Sequence, residues 1–144
     1  MTTWILALSS PAVAVAIALW GFRRGDRADR LRMLFEIQER YLAQRARDGR
    51  RLIHTRLAGR GADGVRTCTR EELTSIGHTL AVMNMIAISV ESGLVEEQLV
   101  RRSLGRSFAS AVDGAADYID LVEQQRGFRP YAYAQRLAAK FRTG

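Results

Sequence analysis

The feature that most constrains this chain is a run of nineteen residues without a charge near its N-terminus. The run extends from Trp4 to Phe22, and as a helix it reaches about 28 Å, enough to cross the hydrocarbon core of a bilayer. Trp4 and Trp20 stand near its two ends, where interfacial aromatic residues occur. We therefore expect residues 1–24 to form a single transmembrane anchor.

A cleaved signal peptide is the competing interpretation of this run. No basic residue precedes it, and no small-x-small cleavage site closes it, so an uncleaved anchor is favoured. Arg23 and Arg24 follow the run at once. The positive-inside rule then predicts a single-pass protein of the bacterial cell membrane, with its N-terminus outside and residues 23–144 in the cytoplasm.

The positive charge of the chain lies directly behind the predicted anchor. Residues 23–60 contain twelve arginines and five acidic residues, a net charge of +7, and the rest of the chain is neutral. A basic cluster beside a membrane either sets topology or contacts the headgroups of an anionic leaflet, and both roles stay open. The residues predicted to contact the lipid surface are Arg23, Arg24, Arg27, Arg30 and Arg32.

A stripe of small residues follows one face of the predicted span. Ser10, Ala14 and Ala18 are four residues apart, and such stripes allow two helices to approach closely in lipid. The stripe predicts a transmembrane contact face, and the equal alternative is an alanine-rich span without a partner.

The rest of the chain has the composition and periodicity of helices. Ala, Leu, Arg, Gln and Glu dominate, and strand-like alternation is nearly absent. We expect an all-α fold in which the span precedes a small cytoplasmic bundle of about four to five helices. Its predicted parts are a basic juxtamembrane helical segment (25–60), a loop (61–68) and a helical core domain (69–144).

Local signals predict where these helices begin and end. Asp48-Gly49 indicates a break, Thr69 with Glu72 forms a capping box, and Gly93 is suited to follow a helix end. Pro130 is suited to the first position of the last helix. The packing face predicted for the basic helix consists of Leu31, Leu34, Phe35, Tyr41 and Leu42.

Residues 80–97 resemble an uncharacterised bacterial family, the domain of unknown function numbered 4760. The resemblance is carried by Asn84 in the middle of a helix and by the turn Gly93-Leu94-Val95-Glu96-Glu97, followed near the C-terminus by Tyr131. It extends over roughly residues 1–142. The resemblance implies a membrane span, a basic helix and a helical domain, and no assigned activity.

Two sets of polar residues are candidates for a functional role. Asn84 lies at the edge of an apolar stripe, where a structural hydrogen bond is favoured over ligand binding. Asp113, Asp117 and Asp120 fall on one face of a predicted helix. That row is either a solvated face or a docking row for the arginine-rich helix, in the same chain or in another, and Mg²⁺ binding is a weaker alternative.

The sequence contains no catalytic, cofactor or metal motif. His54, Cys68 and His78 lack the spacing of metal ligands on a helix. We therefore expect a non-enzymatic, membrane-tethered interaction module that self-associates or docks on a membrane complex. The alternative is a membrane-anchored regulator or effector that binds nucleic acid or nucleotide through its arginines.

Overall fold

The computed structural model describes the backbone of residues 3–143 and the side chains of residues 13–21 and 25–143. Every element in this part of the chain is helical and no strand occurs, which confirms the all-α expectation. After α1 there are more helices than the four or five expected. The elements are α1 (Thr3–Leu42), α2 (Gln44–Leu52), a short π-helix (Ile53–Leu57), α3 (Gly61–Arg66), α4 (Arg70–Glu91), α5 (Glu97–Gly114), α6 (Ala116–Arg126) and α7 (Ala132–Arg142).

Helix α1 is an unbroken helix of 40 residues. It joins the apolar N-terminal run to the basic segment without an interruption at residues 24 and 25. The helix ends where Ala43 leaves the helical region, with φ −54° and ψ 145°. The apolar N-terminal run and the start of the basic segment therefore belong to one continuous helix.

The break predicted at Asp48-Gly49 is wrong, because α2 continues through both residues. Gly49 is buried against α4. A Cβ atom at Gly49 would lie 1.9 Å from Oγ1 of Thr79 and 2.7 Å from the carbonyl oxygen of Ser75. This glycine permits close contact between two helices and does not reverse the chain.

The loop predicted for residues 61–68 is also wrong, because Gly61–Arg66 form α3. Val65 is buried in the core. A Cβ atom at Gly64 would lie 2.6 Å from the carbonyl oxygen of Arg56. Gly64 therefore again reflects close packing, whereas Gly59 and Gly61 adopt positive φ angles of 71° and 60°.

Helix α4 is the centre of the bundle and packs against α2 and α7, while α7 also packs against α5. Its capping box is present as predicted. Oγ1 of Thr69 accepts a hydrogen bond from the Glu72 N–H at 3.2 Å, and Oε2 of Glu72 accepts one from the Thr69 N–H at 2.8 Å. Gly93 follows the helix end with φ +73°, also as predicted.

The prediction that Pro130 begins the last helix is wrong, because α7 begins at Ala132. Tyr131 precedes it in a left-handed conformation, with φ +58°. The hydroxyl of Tyr131 donates a hydrogen bond to the carbonyl oxygen of Gly77 at 3.4 Å, which ties this turn to α4. The C-terminal end of the bundle is therefore fixed to its central helix.

The packing face predicted for the basic helix is only partly correct. Leu34 and Tyr41 are buried, and Ile37, which was not predicted, joins them. Leu31, Phe35 and Leu42 are instead exposed. In a helix of 3.6 residues per turn the two sets point in different directions, and only one direction meets the bundle.

We predict that Gly49→Ala lowers the free energy of unfolding by about 1–3 kcal/mol, because the added methyl group overpacks the contact between α2 and α4. Gly105→Ala is the matched control. It lies inside α5, where a Cβ atom would come no closer than 3.4 Å to a side chain, so it should be neutral or stabilise by up to about 1 kcal/mol. Thermal unfolding of the purified chain, followed by circular dichroism, compares the two. Equal midpoints would contradict this account of Gly49.

We predict that Glu72→Gln destabilises the protein at neutral pH and that the difference disappears in acid. The backbone N–H of Thr69 and the guanidinium of Arg56 lower the pKa of Glu72 below its usual 4.5. A carboxylate with a lowered pKa stabilises the fold above its usual pKa and loses that effect as the pH falls through the folded value. Unfolding midpoints measured from pH 7 downward should converge. Glu71→Gln, on an exposed neighbour, provides the control for charge alone.

Candidate functional site

A cluster around Tyr41 joins the end of α1 to the bundle. The hydroxyl oxygen of Tyr41 lies 2.9 Å from that of Ser107 on α5. The guanidinium of Arg50 on α2 donates a hydrogen bond to the Tyr41 carbonyl oxygen, and its central carbon lies 3.9 Å from the centroid of the Tyr41 ring. The cluster therefore holds α1, α2 and α5 together at one point.

Aromatic rings extend this cluster through the core. The ring of Phe108 stacks on Tyr41 at 6.5 Å between centroids and meets the edge of Phe141 at 5.8 Å. Burial raises the pKa of the Tyr41 phenol and lowers that of the Arg50 guanidinium. The Tyr41 cluster is thus a desolvated structural joint, and it fixes which sides of α1 are left uncovered.

One uncovered side of α1 forms an apolar groove with α4, which we call the α1–α4 groove. Its volume is about 230 Å³. Met85 on its wall is 57% exposed. Sequence reasoning missed this site, and the signal available was a second apolar face on α4, outside the buried stripe. The lining residues are Met33, Glu36, Ile37, Arg40, Val82, Met85, Ile86 and Ser89.

A second uncovered side of α1 carries Leu31, Phe35 and Leu42, which we call the outer ridge. Their side chains are 51%, 66% and 51% exposed. On an α-helix these three positions fall within roughly 40° of one another. Contiguous exposed apolar residues commonly mark a surface that contacts a membrane or another protein.

Of the five arginines predicted to contact lipid, the structure describes the side chains of three. Arg27, Arg30 and Arg32 are exposed on α1, and none of them forms an ion pair within the described residues. The side chains of Arg23 and Arg24 lie outside the described part. The positive charge on this stretch of α1 is therefore available to a partner or a surface.

The predicted small-residue stripe is described only in part. The side chain of Ser10 lies outside the described residues, whereas Ala14 and Ala18 are exposed. Ala18 lines a shallow depression that continues along α1 through Gly21 and Gly25 to Asp26 and Asp29. Apart from its chain neighbours and the backbone of its own helical turns, no heavy atom of the described chain lies within 4 Å of a Cβ atom added at Gly21 or Gly25.

The predicted row of aspartates is divided by the end of α5. Asp113 lies on α5 and Asp117 and Asp120 lie on α6, since the helix breaks at Ala115. They do not dock on the arginine-rich helix of their own chain. Instead, Asp113 pairs with Arg142 and Asp120 pairs with Arg129 at 2.9 Å, while Asp117 is exposed.

Asn84 caps the last helix from another part of the chain, because the N-cap residue of that helix does not. Tyr131, at the N-cap position of α7, makes no side-chain capping bond. Oδ1 of Asn84 on α4 accepts a hydrogen bond from the Ala134 N–H, in the first turn of α7, at 3.1 Å. The amide thus satisfies an N–H group at a helix start that would otherwise have no partner.

Cys68 and the two histidines form no hydrogen bond with one another among the described residues. The thiol of Cys68 donates to the carbonyl oxygen of Gly64 at 3.3 Å, and burial, followed by the charge of Glu72, raises its pKa. Within the described residues no group of three or more His, Cys, Asp or Glu side chains could hold a metal ion.

Among the described residues one helix, α4, is long and apolar enough to cross a membrane by length and composition alone. The core helix of a bundle meets the same criterion, and six residues of α4 are buried. Within the span predicted at residues 4–22, the side chains of residues 4–12 and Phe22 lie outside the described part.

We predict that Asn84→Ala destabilises the protein by about 1–2 kcal/mol, because it leaves the Ala134 N–H without its acceptor. Asn84→Asp keeps the acceptor and places a negative charge at a helix N-terminus, where the dipole favours it. It should therefore retain the wild-type unfolding midpoint. If both variants lose the same stability, the amide acts through packing and the capping account fails.

Comparison with known proteins identifies a family without an assigned activity. The family model described as "Domain of unknown function (DUF4760)" matches residues 8–141. No curated protein and no solved structure matches the chain. The match covers nearly the whole chain and confirms the resemblance noted for residues 80–97. The chain therefore belongs to the DUF4760 family.

Proposed function

We propose that this protein is a membrane-tethered, non-enzymatic interaction module of the bacterial cell membrane. Residues 4–22 cross the bilayer once, and helices α2–α7 are held on the cytoplasmic side. The observation that carries the proposal is the exposure of residues 13–21 on α1. The large apolar side chains exposed there are Val13, Val15, Ile17, Leu19 and Trp20.

The exposed arginines support the proposed orientation. Arg27, Arg30 and Arg32 follow the apolar run on the same helix. Each can contribute about 1 kcal/mol of attraction to an anionic leaflet. The positive-inside rule assigns this side to the cytoplasm.

The continuity of α1 supports a defined spacing between membrane and bundle. Among the described side chains of α1, Leu34 is the first that is buried in the bundle, and it follows Phe22 by twelve residues in the same helix. That separation corresponds to roughly 18 Å along the helix axis. The proposed module therefore presents its surfaces at a fixed distance below the headgroups, where a partner in the same membrane can reach them.

The two uncovered sides of α1 support interaction as the role. The outer ridge and the α1–α4 groove both expose apolar residues beyond the predicted span. In a water-exposed domain such surfaces favour contact with another molecule. Lipid headgroups and a second membrane-anchored protein, which includes another copy of this chain, are the partners we propose.

We predict that the full-length chain stays with the membrane fraction after alkaline carbonate and high-salt washes and is released by detergent. Val15→Arg combined with Ile17→Arg should move it to the soluble or aggregated fraction, because each charge at the centre of a span costs about 2.5–3.5 kcal/mol. Phe128→Arg is the matched control, since Phe128 is an exposed aromatic residue outside the span, and it should leave fractionation unchanged. Release of the wild-type chain by carbonate would overturn the proposal.

A further inference from the structure

Helix α1 carries two apolar surfaces that face away from each other. The outer ridge centres on Phe35, and the α1–α4 groove begins at Met33. These two residues lie roughly 160° apart around the helix axis. The bundle itself packs on a third side, through Leu34 and Tyr41, with Ile37 at the border between that side and the groove, so it does not cover the ridge.

We infer that copies of this chain assemble in the membrane by a heterologous contact, in which the outer ridge of one copy docks in the α1–α4 groove of the next. The inference rests on the proposed membrane tether, which makes the helices of neighbouring copies parallel. It names a second copy of the chain as the occupant of the groove. Three features of α1 support that choice.

The first feature is the matching depth of the two surfaces. Copies anchored through the same span carry residues of the same number at the same distance from the bilayer. Phe35 falls between Met33 and Ile37, which line the groove. A ridge and a groove on parallel helices therefore meet without sliding one copy along the other.

The second feature is the charge beside each surface. Arg27 flanks the ridge, whereas Asp26 and Asp29 lie on the groove side of α1 in a helix of 3.6 residues per turn. All three are exposed and form no ion pair within the described residues. In parallel copies, the height of Arg27 along the helix axis differs from that of both acids of the next copy by at most about two residues, roughly 3 Å.

The third feature is the room for close approach. The shallow depression at Ala18, Gly21 and Gly25 ends at Asp26 and Asp29, on the side of α1 that carries the groove. Small residues let two helix backbones come close in and near lipid. Deeper in the cytoplasm, Met33 and Met85 provide adaptable apolar walls for a ring such as that of Phe35.

Because the contact joins two different surfaces, each copy can form it twice, once through its ridge and once through its groove. An isologous dimer would place ridge against ridge, whereas a heterologous contact leaves a free ridge at one end and a free groove at the other. The result is a ring or an open row of copies. This property separates the inference from ordinary dimerisation.

Cysteine cross-linking in native membranes tests the contact. In a Cys68→Ser background, one full-length chain carries Phe35→Cys and a second, differently tagged chain carries Met85→Cys. Disulfides form only when the Cα atoms approach within about 7 Å. After oxidation of the isolated membranes with copper phenanthroline, the co-expressed chains should give a mixed disulfide in several-fold higher yield than either single-cysteine chain gives alone, and a chain with both cysteines should give a ladder of oligomers. Phe128→Cys replaces Phe35→Cys in the matched control and should not cross-link to Met85→Cys.

Charge-reversal variants test the charge contact in the same cross-linking assay. Arg27→Asp or Asp26→Arg, placed in both cysteine chains, should lower the mixed-disulfide yield, and the two together should restore much of it. Failure of the double variant to recover would overturn the assigned charge contact.

The outcomes separate this inference from the proposed function. A membrane-bound chain without mixed disulfides overturns the heterologous contact and leaves the tether intact. Phe35→Cys homodimers that equal or exceed the mixed product also overturn it, because they indicate ridge-to-ridge packing. A chain that does not fractionate with membranes overturns the proposed function, whatever the cross-linking yield.

Discussion

The packing of Tyr41 is the interaction on which the rest of the structure depends. Its hydroxyl, ring and carbonyl contact Ser107, Phe108 and Arg50, one residue before α1 ends. Because Tyr41 and Phe108 are themselves buried, α1 meets the bundle through a rigid joint. The joint fixes the rotation of the 40-residue helix about its own axis, and that rotation decides which of its residues the bundle covers.

That rotation gives α1 its unusual surface. Leu34 and Ile37 enter the core, while the outer ridge and one wall of the α1–α4 groove are left uncovered. The exposed apolar residues of the ridge would carry an energetic cost in an isolated domain in water. The proposed contact between parallel copies in a bilayer would cover the same residues.

The fold was predictable where the signal was local. The capping box at Thr69 and the end of α4 at Gly93 depend on a few adjacent residues, and both are present. Gly49 was interpreted wrongly, because a glycine that permits two helices to touch resembles one that turns the chain. The aspartate row failed for a similar reason, since the local sign of the break at Ala115 is one isolated glycine, Gly114, and such a glycine is also tolerated inside a helix.

The sequence by itself determined the helical fold, the apolar N-terminal run and the concentration of arginine behind it, because these follow from residue type and spacing along one chain. Only the tertiary structure decided that Asn84 caps a helix fifty residues away, that Asp113 and Asp120 pair with C-terminal arginines, and that Phe35 faces away from the core. Each depends on how one helix is rotated against another. That rotation is set by side chains from distant parts of the sequence, which no local pattern contains.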